Sequence, residues 1–212
     1  MDRKISLVAE HIPGLQNQAA DQKSRKQPDR WDWKLNPMIF NRLNQIWGCL
    51  TLNLFATRNT TQLDKFFSWK LDLQAEGTDA FLQQWEELAF ANPQWLLIPR
   101  TLSEVRIQRA TIILVALVWK SQAWYPVLLS LLFDHPRSIP PQASNVIQTD
   151  QIPPPIRGQD IQLATWPISG DPTKLARYQR MLQDWLWLPG IQSHNPPTLT
   201  FSEVGALVYS TG

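Results

Sequence analysis

Leu88-Ala89-Phe90-Ala91-Asn92-Pro93-Gln94-Trp95 is a short apolar run that stops in Asn-Pro-x-aromatic. The run is too short for a helix, and Pro93 lacks the N–H that a continuing central strand needs. It therefore reads as a buried strand from which the chain turns out at Pro93. In an open α/β sheet ligands bind at the carboxyl ends of the strands, so an amide and an indole stand where a site would be. Asn92 offers an acceptor and two donors, and Trp95 offers a flat stacking face. Together they suit a planar, amine-bearing group such as a nucleobase. Taken alone, Asn-Pro is more often a plain turn.

Upstream of this run, Asn36-Pro37 opens a helix over Pro37 to Trp47 with an apolar stripe of Met38, Leu43, Ile46 and Trp47, and Gly48 ends it. Cys49 to Ala56 reads as the first strong strand, Phe66 to Trp69 as a second, and Asp79 to Trp85 as a short helical segment. After the Asn92 strand, Leu96 to Arg109 reads as a helix whose Arg100, Arg106 and Arg109 form a solvated face. Ala110 to Val118 is a β-branched run, hence a central strand. Ala123 to Phe133 is apolar nearly all round and predicts a buried helix. Strands alternating with helices predict an α/β fold with a parallel, doubly wound sheet and helices on both faces. Trp69, Trp85, Trp119 and Trp124 are expected in the core, because aromatics bury large areas.

The flanks read differently. Ile5 to Glu10 alternates as a short strand, His11-Ile12-Pro13-Gly14 turns out of it, and Asn17 to Arg25 forms a short polar helix. Gln27 to Asp32 is a linker. From His135 onward, Pro140-Pro141 and Pro153-Pro154-Pro155 predict extended linker, interrupted by a helix over Thr173 to Leu186 with Asp171 as cap and Pro172 at its first position. No regular element is expected past Pro189. The 212 residues hold enough apolar sequence for one good core with attachments, and 17 prolines against 8 glycines are concentrated in the second half. A net charge of +2 is too small to indicate nucleic-acid binding unless it is clustered. Cys49 is the single cysteine, which excludes internal disulfides and fits a reducing compartment. The charged start Met1-Asp2-Arg3-Lys4 leads into no signal-peptide core, and the run Ile112 to Trp119 is far below the ~20 apolar residues of a membrane span. An intracellular protein, nuclear or cytoplasmic, is expected. Asn59-Thr60-Thr61 is a glycosylation sequon without a secretory context.

His11, Pro13, Gly14, Asn17, Ala20, Asp21, Ser24 and Arg25 fall in the register H-x-P-G-x-x-N-x-x-A-D-x-x-S-R, which resembles the last segment of a retroelement ribonuclease H domain. The resemblance implies a metal-binding carboxylate at Asp21 and a proton-transfer histidine at His11. Two divalent ions on a scissile phosphate need further carboxylates from earlier strands, which this sequence lacks. Both residues are therefore expected as remnants, with a divalent metal bound only if the missing part is supplied.

Asn53 to Arg58, Phe66 to Trp69, Asp79-Ala80-Phe81 with Trp85, Phe90 to Trp95, and Leu117 to Pro126 occur in an order that resembles the segment following ribonuclease H in DIRS-type tyrosine-recombinase retrotransposons. That segment is similar to phage-type DNA adenine methyltransferases. Leu163 to Gly170 looks like the connector such polyproteins carry toward a recombinase. The resemblance implies three parts: a ribonuclease H remnant over 1–26, a Rossmann-like, methyltransferase-type α/β domain over 27–135, and a Pro-rich linker over 136–212. It also implies S-adenosylmethionine as cofactor and nucleic acid as partner, either DNA or an RNA–DNA hybrid, alongside the rest of the polyprotein. Such an enzyme extrudes the base and holds it by stacking and by its amine. The resemblance assigns amine acceptance to Asn92 and the Pro93 carbonyl, stacking to Trp95, and an adenosine contact to Asp79. It lays the turn Asn53, Phe55, Ala56 and Thr57 beside the methionine part.

Two departures from the family pattern imply a degenerate site. Gln94 stands where the family has a second proline, which leaves the turn freer, and no glycine occurs between Gly48 and Gly77 to let the backbone approach a ligand. The alternatives are a non-catalytic nucleic-acid-binding or scaffolding module and an active DNA N6-adenine methyltransferase.

Overall fold

The computed structural model describes residues 33–85, 88–140, 146–148, 162–186, 198–201 and 207–210. The chain divides between Arg30 and Trp31, and all described residues belong to the second unit, 31–212. The strand expected at Ile5 to Glu10, the helix at Asn17 to Arg25, and His11 and Asp21 with them lie outside the described residues.

The unit is α/β. Strand β1 (Trp33–Leu35) leads into helix α1 (Pro37–Trp47), which starts where expected because the Asn36 side chain accepts from the Met38 N–H at 2.9 Å. It stops at Gly48, whose φ of 100° only glycine adopts freely and whose N–H bonds the Asn44 carbonyl at 3.1 Å. Five strands follow, β2 (Leu52–Asn53), β3 (Lys65–Ser68), β4 (Gly77–Thr78), β5 (Ala89–Ala91) and β6 (Thr111–Leu117). A 3-10 turn over Ala80–Leu82 follows β4, and helix α2 (Ile98–Gln108) connects β5 to β6 after a second 3-10 turn over Trp95–Leu97. Next come α3 (Tyr125–Ser130), β7 (Arg137–Ile139), β8 (Val146–Gln148), β9 (Leu163–Ser169), α4 (Pro172–Leu186), β10 (Thr198–Phe201) and β11 (Leu207–Ser210).

The main sheet runs β11-β10-β7-β9-β6-β5-β2-β3-β4, and β1 pairs with β8 in a separate ribbon. From β4 to β6 every pairing is parallel, while β9 is antiparallel to both β6 and β7. The alternation of β6 explains why its sequence is apolar throughout. Ile112, Leu114 and Ala116 pack with α2 residues Ile98, Leu102 and Val105 on one face, and Ile113, Val115 and Leu117 pack with α1 residues Phe40 and Leu43 on the other. Phe90 on β5 joins the second face, its ring edge-on to Phe40 at 5.1 Å.

Several expectations are corrected. The first strand is only Leu52–Asn53, although its pairing with β5 extends through the bonds Thr51 N–H to Leu88 O and Leu54 N–H to Phe90 O. The linker expected over 136–212 is not one at 137–139 or 163–169: β7 and β9 are buried strands of the main sheet. Leu163 to Gly170 is thus no connector. Pro167 fits in β9 because its carbonyl accepts from Phe133 N–H on the side away from β6, and a residue's N–H and C=O point the same way along a strand. The missing N–H removes no bond to β6. The helix expected over Ala123 to Phe133 is cut to six residues, because Ser169 N–H bonds the Leu131 carbonyl and Leu132 bridges Ile168, drawing the chain out to β9. Helix α4 begins as expected, with the Asp171 side chain accepting from Thr173 N–H, yet it is not isolated: Tyr178 is buried in the core. Past Pro189 the chain forms β10 and β11, where no element was expected.

Candidate functional site

Order along the sheet places the site. Counted from β2, the strands on one side are β3 and β4 and those on the other are β5 and β6, so the connections leave β2 and β5 in opposite directions. The crevice between the carboxyl ends of two such strands is where open α/β sheets bind ligands. Asn53 ends β2 and Asn92 follows the last residue of β5. Asn53 is 2% exposed, and its Oδ1 is buried with no hydrogen-bond partner among the described residues. Asn92 donates from Nδ2 to the Trp33 carbonyl of β1 at 3.0 Å, and its Oδ1 is likewise buried without a partner. Buried acceptors are nearly always satisfied in folded proteins, so two orphans on adjacent strand ends mark a place where a donor belongs.

The other residues singled out in the sequence sit around this pair in different ways. Ala56 is buried and its N–H bonds the Phe67 carbonyl, so the turn after β2 is pinned to β3. Thr57 closes a tight turn: its N–H donates to Thr60 Oγ1 at 2.9 Å and its carbonyl accepts from Thr60 and Thr61 N–H. Pro93 is buried. Trp95 is half-buried and packs against the apolar clusters on both sheet faces, so it is a seam residue more than an open stacking face. Gln94 is exposed, with φ −58° and ψ 145°. That φ lies within the range a proline ring imposes, so a second proline would fit this turn.

Asp79 lies at the carboxyl end of β4, two strand spacings or ~10 Å across the sheet from β2. Its φ of 56° is one of two positive values at non-glycine residues among the described residues, and such backbone is held by its surroundings at a cost of about 1–3 kcal/mol. Its N–H bonds the Ser68 carbonyl at 2.8 Å, and its side chain accepts from Phe81 N–H at 3.1 Å. Beside it Phe55, Phe81 and Trp85 form an aromatic cluster with ring centres 5.3 to 6.2 Å apart. The Arg100 guanidinium lies 4.0 Å over the Phe81 ring, so it is engaged there and is not a bare solvated charge. Asp79 and the aromatic cluster therefore belong to one wall, and Asn53 and Asn92 to the adjacent crevice.

Sequence reasoning missed the clasp between the loops that follow β2 and β3. Arg58 donates two bonds to Asp72, at 3.0 and 2.6 Å. Arg58, together with the Gln74 N–H, holds the Asp72 carboxyl below its ordinary range. Spacing carries no signal for a pair 14 residues apart on two loops. It also misjudged Trp69 and Trp119, which are 56% and 43% exposed, whereas Trp85 is core as expected, with its Nε1 bonded to the Ala80 carbonyl.

No cluster of His, Cys, Asp and Glu among the described residues is arranged to hold a metal ion. No helix among them is long and apolar enough to cross a membrane. No protein-family model matches the sequence, and no curated protein matches it.

Proposed function

We propose that residues 31–212 form a methyltransferase-type domain of a retroelement polyprotein, acting within the nucleus or cytoplasm, that keeps an amine-holding carboxyl edge and has lost efficient methyl transfer. The observation that carries this reading is the pair of buried, unpartnered acceptors, Asn53 Oδ1 and Asn92 Oδ1, at the ends of β2 and β5. Strand order supports it. The parallel part has the doubly wound order with its switch beside β2, which is what the resemblance to DNA adenine methyltransferases implies, and a reversed strand, β9, lies between β6 and β7.

The residues present fit the group that this reading requires. Bound S-adenosylmethionine would supply an electrophilic methyl group. The Asn53 acceptor would receive an N–H from the cofactor's methionine part, with Phe55, Ala56 and Thr57 beside it. Asp79, whose Oδ1 holds the Phe81 N–H, would accept from the adenosine part, and the Phe55, Phe81 and Trp85 cluster supplies an apolar wall for its ring. Asn92 is oriented by its bond to the Trp33 carbonyl so that its oxygen, not its nitrogen, is left to accept from the exocyclic amine of an extruded base. The Pro93 carbonyl would take the second amine hydrogen. Turnover is weakened by the placement of Trp95 between two apolar clusters, away from an open stacking position, and by the tight Thr57 turn, which contains no glycine.

Transfer of tritiated methyl from S-adenosylmethionine to adenine-containing DNA tests this. The expected result is cofactor binding with incorporation at background for both wild type and Asn92→Ala. Incorporation by wild type that vanishes in Asn92→Ala would overturn the loss of turnover and make the chain an active adenine methyltransferase.

A further inference from the structure

Ten large apolar side chains are strongly exposed among the described residues, and six of them, Trp69, Leu71, Leu73, Leu82, Leu96 and Trp119, lie on segments that follow the carboxyl ends of β3, β4, β5 and β6. Both exposed tryptophans are followed directly by a lysine. Lys70 Nζ lies 4.1 Å from the Trp69 ring centre, and Lys120 is exposed beside Trp119. These two Trp-Lys pairs flank Asn53 and Asn92: β3 and β6 are the outer neighbours of β2 and β5, three strand spacings or ~14 Å apart. They are held in place. The β3–β4 loop is clasped by Arg58 on Asp72 and tightened by bonds from Gln74 N–H and Ala75 N–H to Asp72, and the turn after Trp119 is closed by Gln122 N–H on the Trp119 carbonyl.

We propose that this edge is a single-stranded nucleic-acid surface on which Trp69–Lys70 and Trp119–Lys120 are two stacking platforms either side of the amine-accepting crevice. The inference rests on the proposed function for the identity of that crevice and adds the form of nucleic acid it takes. Exposed aromatic faces paired with cations are what unpaired bases and their backbone recognise. The bases of a duplex are stacked on one another and cannot use such faces. The charge agrees: of the described carboxylates on these loops Asp72 is neutralised by Arg58, leaving Lys70, Lys120 and, in the first turn of α2, Arg100 against Glu76 and Asp79. A surplus this small is too weak for the phosphate-dominated binding of a duplex. A strand lying across both platforms already has its bases unstacked at the crevice, so no energy is needed to open a helix.

The test is fluorescence anisotropy of a labelled adenine-containing single strand, and of the same sequence as a duplex, titrated with the whole 212-residue chain. The single strand is expected to bind at least about tenfold tighter than the duplex. Trp69→Ala and Trp119→Ala are each expected to weaken it by about 5- to 150-fold, the range of one lost base–aromatic stack, while the chain stays cooperatively folded, since about half of each side chain is exposed. Equal affinity for duplex and single strand, or wild-type affinity in both tryptophan variants, would overturn the proposal. So would a change of oligomeric state in those variants without a change in DNA affinity, since the surface would then join copies of the chain. Cofactor titration is read separately. Single-strand binding without S-adenosylmethionine binding supports this surface while refuting the methyltransferase reading, and cofactor binding with duplex preference does the reverse.

Discussion

A buried acceptor without a donor costs a fold about 1–3 kcal/mol, and Asn53 and Asn92 each carry one on adjacent strands. Replacing Asn53 by Val, β-branched and smaller than Leu, removes the orphan oxygen at a buried position whose cross-strand partners are Phe66 and Phe90. Asn53→Val is therefore expected to gain about 1 kcal/mol of stability, seen as a melting temperature higher by roughly 2–4 °C, and to lose cofactor binding in the same sample. A lower melting temperature would mean that the Asn53 amide is structural. At Gln94 the backbone already has a proline's φ, and its N–H makes no hydrogen bond to a described residue. Gln94→Pro should add about 0.4–1 kcal/mol by restricting the unfolded chain, measured by urea denaturation. A loss would show that the N–H is used.

Helix α1 was readable from Asn36, Pro37 and Gly48, because caps are local chemistry, and β6 was readable from its unbroken apolar run. Strand β9 was not. Trp166-Pro167 between proline-rich stretches has the composition of a linker, and what makes it a strand is ladders to β6 and β7 formed by residues some 25 to 60 positions away. The Asn92 end of the crevice was legible from Asn-Pro. The clasp of Arg58 on Asp72 and the exposure of Trp69 and Trp119 were not, since both depend on where loops go after their strands end. Gly170, just past β9, gives this element a test of its own. A Cβ there would stand 2.1 Å from the Val105 carbonyl oxygen and 2.8 Å from Arg109 Cα, both backbone atoms of α2 or its cap, with no side chain to move aside. Gly170→Ala should cost at least about 1–3 kcal/mol of stability, whereas the same change in a true linker would cost nothing measurable.

At the scale of the whole unit, residues just before β7 tie the helices of both faces together. Trp47 of α1 donates from Nε1 to Asp134 Oδ2 at 2.7 Å, and Tyr178 of α4 lies 3.2 Å from His135 Nδ1 through its hydroxyl. Burial lowers the His135 pKa from its ordinary 6.5, partly offset by Asp134 and reinforced by Arg137. As pH falls below 6.5 the unfolded chain takes up a proton that the folded chain refuses, so stability declines until pH passes the folded value. Melting temperature should therefore fall between pH 6.5 and 5 in wild type, and His135→Gln should lack that component. An identical slope in both would place the titration elsewhere. Calorimetric titration of S-adenosylmethionine into the 212-residue chain shows whether the carboxyl edge keeps a ligand site built on Asn53 and Asp79. Micromolar binding is expected, weakened at least about tenfold in Asp79→Asn, a variant that keeps an oxygen to cap Phe81 and a side chain tolerant of positive φ. No heat of binding from a cooperatively folded sample, or binding indifferent to Asp79, would contradict that site.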